Sequence, residues 1–282
     1  MVLISERKEK PEPIGQNDVL NITINGLEFG YRTFPILKGI DVVFDKSELV
    51  SIIGPNGVGK STLIHCMNKI LTPNDNSVFI DGRDVKTINV KEMAKVMGYV
   101  RYTATTTFPI SVIDAVMMGR HPHSKYGSME KDMEISYDML EKLGIEDLAM
   151  RPINELSAGQ LQKVILAKGL AQQPKVLLLD EPTANLDIKH QLGVTKLLHD
   201  ICRETGMTII MICHDLNIAA KYSDRMLMMS EGKIYAAGTP EEILTKDNVR
   251  NVYGVDCEVI MDQGRPHILL RDEELNASVK NE

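Results

Sequence analysis

Gly54-Pro55-Asn56-Gly57-Val58-Gly59-Lys60-Ser61 is the stretch whose reading decides the fold. Two glycines bracket four residues, and a lysine and a serine follow, which is the pattern of a loop that curls around phosphate. Glycines let the backbone turn its N–H groups toward an anion. Upstream, Leu49 to Ile53 reads as a buried strand; downstream, Ser61 to Leu71 reads as a helix. The helix then aims its positive end at the same anion. In such a unit Lys60 is expected to reach the β- and γ-phosphates of a nucleotide, and Ser61 to ligate Mg²⁺.

A second element lies far downstream. Val176-Leu177-Leu178-Leu179-Asp180-Glu181 is an apolar strand that ends in two acids. Asp180 suits a water-mediated Mg²⁺ contact at the sheet edge. Glu181, one residue further, can orient or deprotonate an attacking water. Around this element strands and helices alternate: helix Leu161 to Gln172, helix Leu192 to Glu204, strand Met207 to Cys213. That order predicts a parallel sheet with crossover helices. The N-terminal part differs. Leu20 to Ile24, Leu27 to Tyr31 and Ile40 to Phe44 read as short strands of an antiparallel sheet, with Asn25-Gly26 as a hairpin turn. Residues 102–160 are helical in pattern, with Ile135, Met139, Leu140 and Leu143 on one face. Two short strands flank Asp262-Gln263-Gly264. The expected organisation is a flexible leader over 1–18, one α/β domain over 19–270, and a polar tail over 271–282.

Composition excludes several classes. Acidic residues outnumber basic ones, 39 to 32, for a net charge of −7. Such a chain is a poor candidate for wrapping nucleic acid. Four cysteines without a CxxC spacing read as reduced thiols. No apolar run approaches the ~20 residues that a membrane span needs. A cytoplasmic protein is expected, with any membrane contact made through a partner.

Leu156-Ser157-Ala158-Gly159-Gln160 sits before a helix, with Gln160 twenty residues ahead of Asp180. With the glycine loop upstream and Asp180-Glu181 downstream, the chain resembles an ATP-binding-cassette (ABC) ATPase over residues 19 to 270. The family's signature is usually Leu-Ser-Gly-Gly-Gln, so Ala158 is a mild departure. The resemblance implies a P-loop NTPase core, an antiparallel β subdomain and a helical signature subdomain. It implies ATP and Mg²⁺ as cofactors. Nucleotide would be bound by Gly54, Pro55, Asn56, Gly57, Val58, Gly59, Lys60, Ser61 and Thr62. Ser157, Gly159 and Gln160 would serve the nucleotide of a second copy. Tyr31, 29 residues before Lys60, matches the aromatic that stacks on adenine. Asp187, in Ala184-Asn185-Leu186-Asp187, matches the loop that crosses between paired subunits. His214 matches the switch histidine at the γ-phosphate. Glu181 and His214 would then be the catalytic pair, and Ser61 with Asp180 the metal site.

One departure is larger. The family places a glutamine where Tyr102 stands, and no glutamine occurs between Gln16 and Gln160. Either hydrolysis is slower, or a neighbouring hydroxyl, such as that of Thr103 or Thr105, takes over.

Phe108 to Val112, Met118 to Pro122, Tyr253-Gly254-Val255 and Gly264-Arg265-Pro266 look like ATPases of iron-siderophore, haem and cobalamin uptake. That likeness implies transmembrane permease subunits as partners, a homodimer, an extracytoplasmic binding protein acting indirectly, and a peripheral place on the cytoplasmic membrane face. An exporter subunit, a soluble ABC ATPase of repair or translation, and a weakly hydrolysing ATP-gated module are the alternatives. His121-Pro122-His123 reads as a loop, not a metal site, and Met117-Met118 and Met226, Met228 and Met229 as core filler.

Overall fold

The computed structural model describes residues 14–101, 109–123, 128–184 and 186–271. β1 (Ile22–Tyr31) and β2 (Phe34–Phe44) form an antiparallel pair. β3 (Leu49–Ile53) leads through the glycine loop into α1 (Lys60–Met67). β4 (Val78–Ile80) and β5 (Arg83–Asp84) return to β1, so the first sheet runs β2-β1-β4-β5. α2 (Val90–Val96), β6 (Met97–Arg101), α3 (Val112–Met117), α4 (Met129–Lys142) and α5 (Ala158–Ala171) follow. Alternation then sets in with β7 (Val176–Asp180), α6 (Ile188–Thr205), β8 (Thr208–Ile212), α7 (Leu216–Tyr222) and β9 (Arg225–Ser230). β10 (Lys233–Gly238), α8 (Pro240–Ile243), α9 (Lys246–Tyr253), β11 (Cys257–Asp262) and β12 (Arg265–Leu270) complete the order.

The second sheet runs β10-β9-β3-β8-β7-β6. Its strands pair in parallel except at the edge, where β10 meets β9 antiparallel. β3, β7 and β8 are buried along their whole length. Strand alternation divides their side chains between two cores. Leu49, Leu177, Leu179, Ile209 and Met211 face the helical side with α5 and α6. Val50, Ile52, Val176, Leu178, Ile210 and Ile212 face α1 and the antiparallel sheet. A sheet covered on both faces needs continuous apolar strands, which is what the sequence supplies.

The helical layer has a polar joint. Arg120 Nε donates to Asp132 Oδ1 at 2.9 Å, and its Nη1 reaches Ala171 O at 2.7 Å and Gln173 Oε1 at 3.1 Å. The joint ties the turn after α3 to α4 and to the end of α5.

Several expectations need correction. Asn25-Gly26 is not a hairpin turn: β1 runs through it, with a register shift between Ile24 and Leu27. Gly26 takes φ +55, Asn25 N donates to Ser77 O, and Gly26 N donates to Asp41 Oδ1, so the pair forms a bulge. The turn comes at Arg32-Thr33, where Arg32 has φ +54. α1 stops at Met67, short of Leu71, because Lys69 adopts φ +62. The end of the expected leader is tied down: Ile14 is buried and Gly15 N donates to Asp81 Oδ2 at 2.7 Å. Met226, Met228 and Met229 are buried as expected, but Met118 is 52% exposed. His121-Pro122-His123 lies in a short 3-10 turn, and His123 Nε2 donates to Gln172 O at 2.8 Å.

All four cysteines are buried and unpaired. Burial pushes the Cys66 and Cys213 thiols up to about 12, Cys202 up to about 11, and Cys257 upward. Among the described residues, no helix is long and apolar enough to cross a membrane.

Candidate functional site

Parallel strands bring their carboxyl ends to one edge, where open α/β sheets place their ligand sites. β3 ends there in the glycine loop, β7 in Asp180-Glu181, and β8 in Cys213-His214. Gly54 has φ +143, and a Cβ on it would lie 2.3 Å from Met229 O of β9. Gly59, at φ +104, caps α1 from the left-handed region, and no side chain caps that helix end. A Cβ on Gly59 would come within 2.7 Å of Leu37 Cδ2. The loop is thus pinned against β9 and β2, while Asn56 and Gly57 stay exposed and Pro55 and Val58 half-buried.

Lys60 and Thr62 are buried. Lys60 Nζ donates to Gly54 O at 2.7 Å and Pro55 O at 2.8 Å, so the ammonium rests on its own loop. Burial lowers the Lys60 pKa, while the carboxylates of Glu181 and Asp180 oppose the fall.

Ser61 Oγ donates to Asp180 Oδ1 at 2.9 Å, and Asp180 is 4% exposed. A hydroxyl and a carboxylate are hard oxygen donors, and so few of them fit a dication that keeps most of its water, as Mg²⁺ does. Tyr99 OH donates to Asp180 Oδ2 at 3.2 Å. Its one proton is spent there, so His65 Nε2, 2.9 Å from the phenol oxygen, must be the donor of that contact. Burial holds the His65 pKa below the ordinary imidazole value, against the pull of Asp180. Burial and the Asp180 charge push the Tyr99 phenol upward. Arg101 Nε lies 3.8 Å from Asp180 Oδ2.

Glu181 follows with φ +55, a left-handed conformation that is costly for a non-glycine residue and recurs at functional sites. His214 Nε2 donates to Glu181 Oε1 at 2.7 Å, and both side chains are about two-fifths exposed.

A second cluster forms at the signature turn. Ser157 caps α5: its Oγ accepts from Gln160 N at 3.3 Å, and Gln160 Oε1 accepts from Ser157 N at 3.0 Å. Asp187 caps α6 by accepting from His190 N at 2.9 Å, and it also accepts from His190 Nδ1 at 2.8 Å. The backbone and ring N–H groups of His190 hold the Asp187 carboxyl below the usual range. The His190 ring lies over Gly159, where a Cβ would stand 3.0 Å from Cδ2. Tyr31, at the end of β1, is half exposed and meets Phe29 edge-on at 5.2 Å between centroids.

Of the residues singled out from sequence, Gly54 to Thr62, Asp180, Glu181 and His214 thus gather at one sheet edge. Ser157, Gly159, Gln160 and Asp187 gather around His190. Tyr102, Thr103, Thr105, Phe108 and Asn185 lie outside the described residues. His65, Tyr99, Arg101 and His190 were not singled out. His65 follows Ser61 by four residues on α1, a spacing that shares a helix face and could have flagged it. Arg101 and Tyr99 owe their place to the β6–β7 register, which pairs Arg101 with Asp180.

Residues 37–184 match the family model described as ABC transporter. The chain is 44% identical to an uncharacterized ABC transporter ATP-binding protein of Methanocaldococcus jannaschii, over 88% of this chain and 97% of that one. It is 37% identical to the ferric enterobactin transport ATP-binding protein of Escherichia coli, over 84% of this chain and 88% of that one. Among solved structures, a dimeric bacterial ABC transporter cassette superposes with a TM-score of 0.68 at 26% identity, covering 77% of this chain and 98% of that one.

Proposed function

We infer, for a chain that belongs to the ABC transporter family of ATP-binding proteins, that it hydrolyses ATP to power a membrane importer of metal chelates of the iron-siderophore, haem or cobalamin type. The observation that carries the reading is the meeting of the Lys60 loop, the Ser61–Asp180 pair and the Glu181–His214 pair at one sheet edge. The siderophore assignment draws on the ferric enterobactin relative.

Each residue has a task in this reading. Lys60 leaves the Gly54 and Pro55 carbonyls for the β- and γ-phosphates, exchanging neutral acceptors for charged ones. The glycine-loop amides and the uncapped end of α1 take the remaining phosphate charge. Tyr31 offers a flat, half-exposed ring to adenine. Ser61 and Asp180 would hold Mg²⁺, which when bound neutralises charge between the last two phosphates. Glu181 accepts a proton from the attacking water. His214, whose Nε2–H already aims at Glu181, keeps that carboxylate oriented and can turn its proton toward the γ-phosphate.

Ser157 and Gln160 satisfy one another in the single chain, which leaves the Ser157 hydroxyl to be recruited by a second copy's nucleotide. Two copies would sandwich two ATP molecules, with Lys60 of one facing Ser157 of the other. The pair would sit on permease subunits at the cytoplasmic membrane face, with an extracytoplasmic binding protein delivering the cargo.

The test is radio-iron uptake from a ferric siderophore by cells that lack this chain. Wild type should restore uptake and Lys60→Ala should not. Restoration by both, or by neither while the purified wild type still releases phosphate from ATP, overturns the importer assignment.

A further inference from the structure

Arg101 ends β6 in register with Asp180, the end of β7. The strands are parallel, so both residues stand at the edge where the phosphate loop opens. Asp180 does not need the arginine. Its two oxygens already accept from Ser61 Oγ at 2.9 Å and from Tyr99 OH at 3.2 Å. Arg101 Nε stands 3.8 Å from Oδ2, beyond hydrogen-bond length, and 63% of its side chain is exposed. The guanidinium is exposed and its contact is long, so turning away from Asp180 breaks no hydrogen bond between them. Lys60, by contrast, is buried and held by the Gly54 and Pro55 carbonyls at 2.7 and 2.8 Å. Both cations face the chain's own oxygens.

A guanidinium is planar, always charged, and matched to the paired oxygens of a phosphate. A terminal phosphate carries more charge than the Asp180 carboxylate, and it arrives without two hydroxyls already bound to it.

Resting on the ATP-binding reading above, we propose that Arg101, which stands beside Asp180 at the sheet edge, is a specificity residue for the third phosphate and turns to the γ-phosphate of bound ATP. ADP has no third phosphate, so Arg101 separates the two nucleotides instead of adding equally to both.

The experiment compares wild type, Arg101→Ala, Arg101→Lys and Lys60→Ala by calorimetric titration. The probes are ADP and an ATP analogue that cannot be cleaved between β and γ, each with magnesium. Arg101→Ala should lose roughly tenfold in affinity for the analogue, the size of one charge-assisted hydrogen bond in a partly open site. Its ADP affinity should stay within about twofold of wild type on the same argument. Arg101→Lys should fall between, because a point charge keeps attraction but not the fork. An unchanged analogue affinity, or equal losses for both nucleotides, overturns the role of Arg101. Lys60→Ala should lose both nucleotides. If wild type binds neither, the ATP-binding reading fails and takes the role of Arg101 with it.

Discussion

Asp132→Asn removes one charge from the joint that holds the helical layer. The Arg120 and Asp132 side chains are 7% and 9% exposed and meet at 2.9 Å. Ser128 Oγ adds a bond to Asp132 Oδ2 at 2.9 Å. Removing one partner of a buried pair costs about 3–5 kcal/mol. Arg120 keeps Ala171 O and Gln173 Oε1 as acceptors, so the low end, about 3 kcal/mol, is expected. The chain has no tryptophan, so far-UV circular dichroism should follow the urea transition. Replacing Arg120 and Asp132 together by methionine should recover most of the loss, since no charge is then left unpaired. The Arg120 hydrogen bond holds the Asp132 carboxyl below the usual carboxylate range. Its folded pKa is therefore depressed, and its contribution is present in full above the unfolded value. The gap between wild type and variant should be flat near neutrality and shrink as pH falls below about 4. A loss under about 1 kcal/mol at an unchanged denaturant slope would refute the joint as a structural anchor.

Other substitutions probe the site itself. Lys60→Ala should abolish ATP binding at millimolar nucleotide, because the phosphate charge loses its cation; equilibrium dialysis checks it. Glu181→Gln should keep binding but slow phosphate release by about 10²-fold or more, since an amide cannot take the proton. It should also sediment as a dimer only with ATP. Gly54→Ala should cost on the order of 3 kcal/mol and lower the melting temperature, because its Cβ would meet Met229 O at 2.3 Å. Tyr102→Gln should raise kcat by about 10-fold if amide positioning is worth about 1.4 kcal/mol, with ATP affinity little changed. An equal or lower kcat for the glutamine variant refutes that handicap.

The parts legible in sequence were those whose signal is local. Leu49 to Ser61 spells strand, loop and helix start in consecutive residues, and Val176 to Glu181 spells a buried strand with an acidic end. The bulge at Asn25-Gly26 was not legible, because its partners Asp41 and Ser77 come from other elements. Their bonds let β1 continue where the dipeptide alone favours a turn. β9 was hidden for another reason. Met226-Leu227-Met228-Met229 lacks β-branched residues and alternation, and reads as core before it reads as strand. The shell around Asp180 was hidden too. Tyr99 and Arg101 reach it only through the lateral pairing of β6 with β7, which no spacing along the chain encodes.

The four buried thiols have a practical consequence. Burial raises the pKa of every one of them, so the thiolate, which is the reactive form, is scarce at neutral pH. The folded chain is therefore nearly silent to alkylating reagents, and each alkylation event records a moment when the interior stood open. The reporters are well spread: Cys66 lies on α1 behind the phosphate loop, Cys202 on α6, Cys213 beside His214, and Cys257 on the terminal hairpin. Mass spectrometry of a timed alkylation could thus count openings without denaturant. Nucleotide that slows Cys66 and Cys213 alone would reveal local tightening. Equal slowing at all four would reveal a shift of the whole chain.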